Sequence, residues 1–143
     1  MMVNFGSSFL VGEIRERSSV AWDHISEWAE NNGLGSQSDE VREYRRSYFR
    51  DNHPGFADVT DVADHIDHAV QVAGIDHVGL GSDFDGVGDS LPTGLKDVSA
   101  YPNLLRVLLE RGYSAADIEK ICSGNVLRVM NEVAIIASEL DSR

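Results

Sequence analysis

The sequence predicts an α/β fold with two parallel strands and about six helices, organised as a single segment over residues 1–143. Two short apolar runs predict the strands, namely Met1–Phe5 and the stretch His77–Gly86. A helical pattern leads directly into the second run, as in the second half of a βαβ unit. The sheet is therefore expected to be parallel.

The stretch His77–Gly86 is the one around which the rest of the chain is organised. Val78 and Leu80 alternate with glycines in a run too short for a helix, which predicts a buried strand. The strand ends in the turn-forming residues Asp-Phe-Asp-Gly at 83–86. In parallel α/β proteins chemistry collects at the carboxyl ends of strands, so Asp83 is the first candidate catalytic residue.

Start and stop signals divide the remainder into helices. The first predicted helix ends at Asn32, the second runs from a Ser38 cap to about Arg50, and the third spans Val62 to Ala73 before Gly74. The fourth follows Pro102 as far as Gly112, the fifth opens at Ser114, and the sixth opens at Asn125. The connection 86–97 has the length of an active-site loop. In the last helix Asn125 is expected to be the cap, and the tail after about Ser138 is expected to fray. Its expected core face consists of Val126, Leu127, Val129, Met130 and Val133.

Bulk composition excludes several classes of function. Lys and Arg number 12 against 24 Asp and Glu, and the resulting net charge of −12 disfavours a nucleic-acid or anionic-membrane surface. The single cysteine, Cys122, rules out an internal disulfide and is interpreted as a small buried residue rather than a nucleophile. No apolar run approaches the ~20 residues of a membrane span, and Met1–Phe5 is not expected to be a signal peptide because it lacks a charged n-region and the length. We therefore expect a cytoplasmic protein.

Carboxylates after the second strand suggest a cation site as one alternative. Asp83, Asp85 and Asp89 lie close together in the sequence, as ligands of a hard cation would. The EF-hand pattern fails, however, because position 94 is glycine where a bidentate glutamate is required.

The histidines carry a second possible metal signal. His65 and His68 lie three apart on one helix face, but the zincin pattern needs i, i+4 spacing with an adjacent glutamate. A structural role, such as capping or a hydrogen bond to a neighbouring loop, is favoured for both. His77 opens a strand at its amino end, where structural roles also predominate. From the residues alone, one carboxylate at a strand end remains, with no reaction assigned.

Longer runs resemble a known family. The runs 65–68 (HIDH) and 74–86 (GIDHVGLGSDFDG) closely resemble the membrane (renal-type) dipeptidases, peptidase family M19. Met1–Phe5 is similar to the seventh barrel strand of that family. The segments 94–102 and 124–129 resemble its C-terminal helices.

The resemblance implies the incomplete C-terminal part of a metal-dependent (β/α)₈ barrel. In that family two zinc ions share a bridging hydroxide that attacks the carbonyl of a dipeptide substrate. An aspartate at the end of the eighth strand passes a proton to the leaving amine, and this role maps onto Asp83. Asn4, at the end of the other strand, is expected to line the pocket without being catalytic.

The metal ligands are where the chain departs from the family pattern. The resemblance implies a His-x-Asp pair, a bridging Glu and two further His residues as zinc ligands, and none of the 5 histidines here matches those motifs. We therefore expect no metal ligands in this chain, no activity from it alone, and a missing N-terminal barrel portion. The alternative is a non-catalytic interaction module that pairs its open strands with another chain or with itself.

Overall fold

The computed structural model describes residues 1–142. Their strands and helices are, in chain order, β1 (Met2–Asn4), α1 (Ser7–Leu10), α2 (Gly12–Asn31), α3 (Asp39–Asp51), α4 (Val59–Ala73), β2 (Gly79–Ser82), α5 (Tyr101–Glu110), α6 (Ala115–Glu119) and α7 (Asn125–Asp141). Short 3₁₀ turns lie at Ile75–His77, Gly88–Ser90 and Val98–Ala100, and a π-helical turn lies at Lys120–Gly124. The helix predicted before Asn32 begins earlier than expected, because α1 and α2 occupy the presumed loop after Ser7.

The two strands pair in parallel, as predicted. Met2 lies opposite Gly79 and Val3 opposite Leu80, and the register then shifts so that Asn4 faces Ser82. The backbone N–H of Phe5 extends the pairing by donating to the carbonyl oxygen of Ser82 at 3.2 Å. Because the strands are parallel, their carboxyl ends lie side by side, and the residues that follow each strand are neighbours.

Helix α4 packs its apolar face into the main core. Val62 and Ile66 are fully buried there, in one cluster with Phe5 and with Leu104 and Leu108 of α5. The helix begins three residues before the predicted start, because Asp58 caps it by accepting hydrogen bonds from backbone N–H groups. It ends at Gly74, whose φ of +86° suits a residue without a β-carbon.

Helices α2 and α3 form a hairpin with a small core of its own. Ile25, Ala29 and Val41 are its buried residues, and the rings of Trp28 and Tyr44 stack 3.9 Å apart. The predicted Ser38 cap is confirmed, since its hydroxyl oxygen accepts from the backbone N–H of Val41. The aromatic side chains give this hairpin internal packing that does not depend on the main core.

The structure corrects three predictions for the last helix. Its predicted core face is exposed, with Met130 at 61% and Val133 at 59%, and no described element covers it. The helix does not fray at Ser138 but continues to Asp141. Asn125 is buried within the helical turn and does not cap it. Within residues 1–142 no helix combines the length and the apolar character needed to cross a membrane.

Cys122 is also placed differently from the prediction. The residue is exposed in the π-helical turn before α7, although it was interpreted as buried. Partial desolvation of the thiol nevertheless raises the pKa of Cys122, which disfavours the reactive thiolate. The prediction that it is buried was therefore wrong, while the preference against a nucleophile agrees with the raised pKa.

Candidate functional site

Asp83 immediately follows β2, at the carboxyl end of the sheet. Its φ of +62° makes it the one non-glycine residue with positive φ among residues 1–142. Aspartate tolerates this left-handed conformation better than most residues, because its short polar side chain can bond locally. The backbone turns here, and the backbone N–H of Gly86 donates back to the carbonyl oxygen of Asp83 at 3.1 Å. An unusual backbone conformation at an exposed carboxylate is a feature that recurs at functional sites.

The carboxylate of Asp83 is held by a side chain from the other strand. Asn4 Nδ2 donates to Asp83 Oδ2 at 3.0 Å, although 79 positions separate the two residues. The carbonyl oxygen Oδ1 of Asn4 in turn accepts from the backbone N–H of Gly6 at 2.7 Å. Because that N–H requires an acceptor, the amide group of Asn4 has to point its NH₂ at Asp83.

Gly86 lies against the carboxylate on its Oδ1 side, while Asp83 as a whole stays exposed. A β-carbon added at Gly86 would lie 2.1 Å from Oδ1 of Asp83 and 2.8 Å from its Cγ. The side chain of Asp83 therefore folds back over the α-carbon of Gly86. This close approach gives the glycine of the 83–86 turn a specific function, because no larger residue fits there without moving the carboxylate.

An aromatic cluster fixes the residue after Asp83. The ring of Phe84 meets Phe5 edge-on at 5.8 Å and Tyr101 at 5.7 Å, and Phe5 and Tyr101 lie 6.1 Å apart. Edge-to-face pairs at these distances are favourable beyond the burial of their area. The turn that carries Asp83 is thereby joined to the strand-end residue Phe5 and to the start of α5.

The connection 86–97 is anchored along its length. The hydroxyl of buried Ser7 donates to the carbonyl of Ser90 and accepts from the backbone N–H of Ala57 at 3.0 Å. Leu95 is fully buried, and the ammonium of Lys96 lies 3.5 Å from the centre of the Phe56 ring. The loop therefore has a defined conformation beside the carboxyl end of the sheet.

The described residues do not assemble a metal site. No group of three or more His, Cys, Asp or Glu side chains within residues 1–142 is arranged to hold an ion. Asp85 is exposed, and the carboxylate of Asp89 lies 3.9 Å from the ammonium of Lys96. The alternative of a cation site at Asp83, Asp85 and Asp89 thus loses its geometric basis. The zinc centre implied by the family resemblance likewise does not fit the residues present here.

The histidines near the sheet show one defined structural contact. His65 Nε2 lies 2.8 Å from the carbonyl oxygen of Leu10, at the end of α1, so the predicted hydrogen bond to a neighbouring segment is confirmed for this residue. His68 is exposed, and so is His77, which ends the 3₁₀ turn before β2. These positions bring no histidine to Asp83.

A charged cluster on the outer face of α4 was not predicted. Arg111 forms ion pairs with Asp64 and Asp67, and the hydroxyl of Tyr113 donates to Asp67 at 2.7 Å. Desolvation and the bond to Asp67 raise the pKa of Tyr113 far above its usual value. Desolvation alone would lower the pKa of Arg111, but the hydrogen bonds and charges of Asp67 and Asp64 outweigh it, so the pKa is raised. A cleft of about 480 Å³ lies beside this cluster. Since Arg111 is already neutralised, the arrangement ties α5 and α6 to α4.

Asn4 is the residue whose contact with Asp83 was not predicted from the sequence. The sequence placed Asn4 and Asp83 at the ends of two parallel strands, which was the signal for their proximity. The direct contact depends on the register shift between Val3 and Asn4. No sequence pattern indicates that register shift, so the hydrogen bond between Asn4 and Asp83 could not be predicted from the two strands alone.

Comparisons with known proteins identify the family to which this chain is similar. A sequence model described as Membrane dipeptidase (Peptidase family M19) matches residues 1–143. Dipeptidase aclJ from Aspergillus oryzae is 50% identical over 84 residues, which are 59% of this chain and 20% of that protein. Dipeptidase tcpJ from Claviceps purpurea is 47% identical over 85 residues, again 59% of this chain and 20% of that protein. The chain thus spans about a fifth of the length of these curated relatives.

A solved structure is also similar. The crystal structure of the probable dipeptidase PvdM from Pseudomonas aeruginosa matches with a TM-score of 0.59 and 27% sequence identity. The match covers 89% of this chain and 35% of that chain. The predicted α/β class, with two parallel strands that correspond to part of a dipeptidase fold, is therefore confirmed.

Proposed function

Because the chain belongs to the membrane dipeptidase family, peptidase M19, we propose that it contributes the carboxylate of Asp83 to a site that hydrolyses dipeptides. The observation that carries the proposal is the placement of Asp83. It lies at the carboxyl end of β2, in a left-handed conformation, with its carboxylate held by Asn4. This is the end of a parallel sheet where catalytic residues of barrel enzymes collect.

The role proposed for Asp83 is to take a proton from the attacking water and pass it to the leaving amine. Asn4 donates to Oδ2, which leaves Oδ1 as the oxygen that takes and releases the proton. Oδ2 accepts a hydrogen bond whether the carboxyl group is ionised or protonated on Oδ1. The contact with Asn4 therefore persists through both states, and the group keeps one orientation while it acts first as base and then as acid.

The zinc ions implied by the family need ligands that the described residues do not provide. We therefore assign no step to a metal within this chain and propose that residues outside it supply the metal centre. The coverage supports this proposal, since the chain corresponds to 20% of Dipeptidase aclJ and 35% of PvdM. The 143-residue chain alone is then expected to hydrolyse no dipeptide, and zinc-supported turnover by the purified chain would refute that expectation.

A chimera tests the role of Asp83 directly. The match to Dipeptidase aclJ extends over 84 of the 143 residues. Wherever a continuous stretch of that length lies in the chain, it starts at residue 60 or earlier and ends at residue 84 or later. The match therefore includes Asp83. Residues 60–97 of this chain would replace the corresponding segment of Dipeptidase aclJ, once dipeptide hydrolysis by the parent has been measured. The chimera would then be compared with its Asp83→Asn and Asp85→Asn variants.

We expect Asp83→Asn to lower kcat by roughly 10²–10⁴-fold, the usual contribution of general acid–base catalysis. Asp85→Asn is the matched control, because Asp85 is an exposed carboxylate of the same turn. Metal content, measured by elemental analysis, should be equal in all three proteins. Full activity in Asp83→Asn would refute the proposal, and loss of metal in that variant would assign Asp83 to metal retention instead.

A second candidate function is that of a non-catalytic interaction module. The exposed apolar face of α7 and the two open edges of the two-stranded sheet favour it. Sedimentation velocity on the purified chain, with and without Val133→Glu, would test it. Self-association that the substitution abolishes would support this function, and a concentration-independent monomer would count against it.

A further inference from the structure

We propose that Asn4 is a positioning residue that fixes the rotamer of Asp83, so that one carboxylate oxygen is held and the other is presented for proton transfer. The catalytic meaning of this inference rests on the function proposed for Asp83. The contact itself is a property of the 143-residue chain and is testable without any activity.

The side-chain amide of Asn4 has one favourable orientation. Its Oδ1 accepts from the backbone N–H of Gly6 at 2.7 Å, and its Nδ2 donates to Asp83 at 3.0 Å. A flipped amide would turn its NH₂ toward the N–H of Gly6 and its oxygen toward a carboxylate. Both contacts would then be repulsive, so a single orientation satisfies the two neighbours.

The backbone of β1 holds Asn4 next to Asp83. The register shift after Val3 brings Asn4 opposite Ser82, one residue before Asp83, and the N–H of Phe5 bonds to the carbonyl of Ser82. The strand ends are therefore joined by backbone contacts that do not involve either side chain. Asn4 is half-buried there, so its side chain has limited freedom, whereas that of Asp83 is exposed.

Gly86 confines the carboxylate of Asp83 from the side opposite Asn4. The carboxylate of Asp83 lies over Gly86, where an added β-carbon would lie 2.1 Å from Oδ1. This rotamer is possible because Gly86 has no side chain, and the hydrogen bond from Asn4 stabilises it over the other rotamers. An exposed aspartate without such a partner would exchange among rotamers. A fixed carboxylate is what a proton-transfer step needs, because its efficiency depends on geometry.

Asn4→Asp separates positioning from folding. The substitution is isosteric and keeps an oxygen to accept from Gly6, but it replaces the donor to Asp83 with a second carboxylate. Asn103→Asp is the matched control, because Asn103 also donates through Nδ2 to an oxygen, the carbonyl of Gly94 at 2.8 Å. Both variants add the same charge and remove one side-chain hydrogen bond.

The readout is the χ1 rotamer of Asp83, measured by NMR from three-bond couplings between Cγ and the backbone nitrogen and carbonyl carbon. We expect a single rotamer in the unmodified chain and in Asn103→Asp, and averaged couplings in Asn4→Asp. Averaged couplings in the unmodified chain, or an unchanged rotamer in Asn4→Asp, would overturn the inference. A role of Asn4 in folding alone would lower stability without changing the Asp83 couplings.

If Asn4→Asp does not fold, Asp83→Gly tests the same contact by removing its acceptor. Glycine accepts the φ of +62° and removes the carboxylate. We expect the side-chain amide protons of Asn4 to exchange faster with solvent in this variant, and an unchanged exchange rate would overturn the inference. Failure of the proposed function would be seen separately, as full turnover in the Asp83→Asn chimera while these NMR results persist.

Discussion

Gly86→Ala adds one methyl group at the point where the carboxylate of Asp83 folds back on the chain. The new β-carbon would lie 2.1 Å from Oδ1, whereas ordinary contacts begin at 3.4 Å. Oδ1 therefore has to move by at least about 0.9 Å to reach 3.0 Å, and by about 1.3 Å to reach ordinary contact. The three heavy atoms nearest to that β-carbon all belong to the Asp83 side chain, so rotation of this side chain relieves the overlap, at the cost of its hydrogen bond to Asn4.

The expected effect on stability is small because two terms oppose each other. Gly86 is not among the glycines with positive φ, so alanine is compatible with its backbone. Gly→Ala at a compatible position stabilises by about 0.4–1 kcal/mol through the unfolded state. An exposed hydrogen bond contributes about 0.5–1.5 kcal/mol net, and its loss offsets that gain. The free energy of unfolding should therefore change by less than about 1 kcal/mol.

Two measurements test this prediction together. Urea unfolding followed by circular dichroism gives the stability, and the three-bond couplings of Asp83 give its rotamer. Gly35→Ala is the control, because a β-carbon there meets nothing within 4 Å and its φ is not positive. Unchanged Asp83 couplings in Gly86→Ala would refute the reasoning. A stability loss above about 2 kcal/mol would also refute it, because the backbone rather than the side chain would have moved.

Two further predictions concern stability. Asn125→Ala should lower the free energy of unfolding by about 2–4 kcal/mol, because the carbonyls of Ile75 and Val78 each lose a donor at 2.8 Å. Denaturant titrations measure this change. A loss below about 1 kcal/mol would mean that water replaces both hydrogen bonds. Asp58→Ala should cost about 1 kcal/mol at pH 7 as a lost helix cap. The hydrogen bond from Thr60 lowers the pKa of Asp58 below 3.8, so this contribution is present above that pH and lost as the pH falls through the lower folded value. An equal cost at about pH 2 and pH 7 would contradict that assignment.

Local signals were the part of the fold that sequence alone could predict. Ser38 and Ser114 cap helices as expected, and helix α4 ends before Gly74 as predicted. Each of these features is decided within a few residues, because a cap bonds to the first turn of its own helix. The strand at Val78 was predictable for the same reason, since its alternation and its length are local properties.

The last helix shows where local signals fail. Apolar spacing correctly predicted a helix after Asn125, but it indicates only that one face is apolar and not which element covers it. Asn125 was interpreted as a cap because asparagine favours that position. Its amide instead reaches the carbonyls of Ile75 and Val78, 50 and 47 positions away, which joins α7 to the start of β2. Contacts between distant parts of the chain decide such a role, and no local pattern records them.

The candidate site depends partly on local sequence signals and partly on contacts between distant parts of the chain. Asp83 could be singled out from its own run, because it ends a buried strand and opens a turn. Asn4 could be placed at a strand end, but its bond to Asp83 depends on a one-residue register shift. Gly86, Phe84 and Asn4 each constrain Asp83, and all three lie within the strands and turn of this segment. The orientation of the carboxylate is thus encoded in the residues of this segment, so we expect the same orientation in any larger site to which the segment contributes.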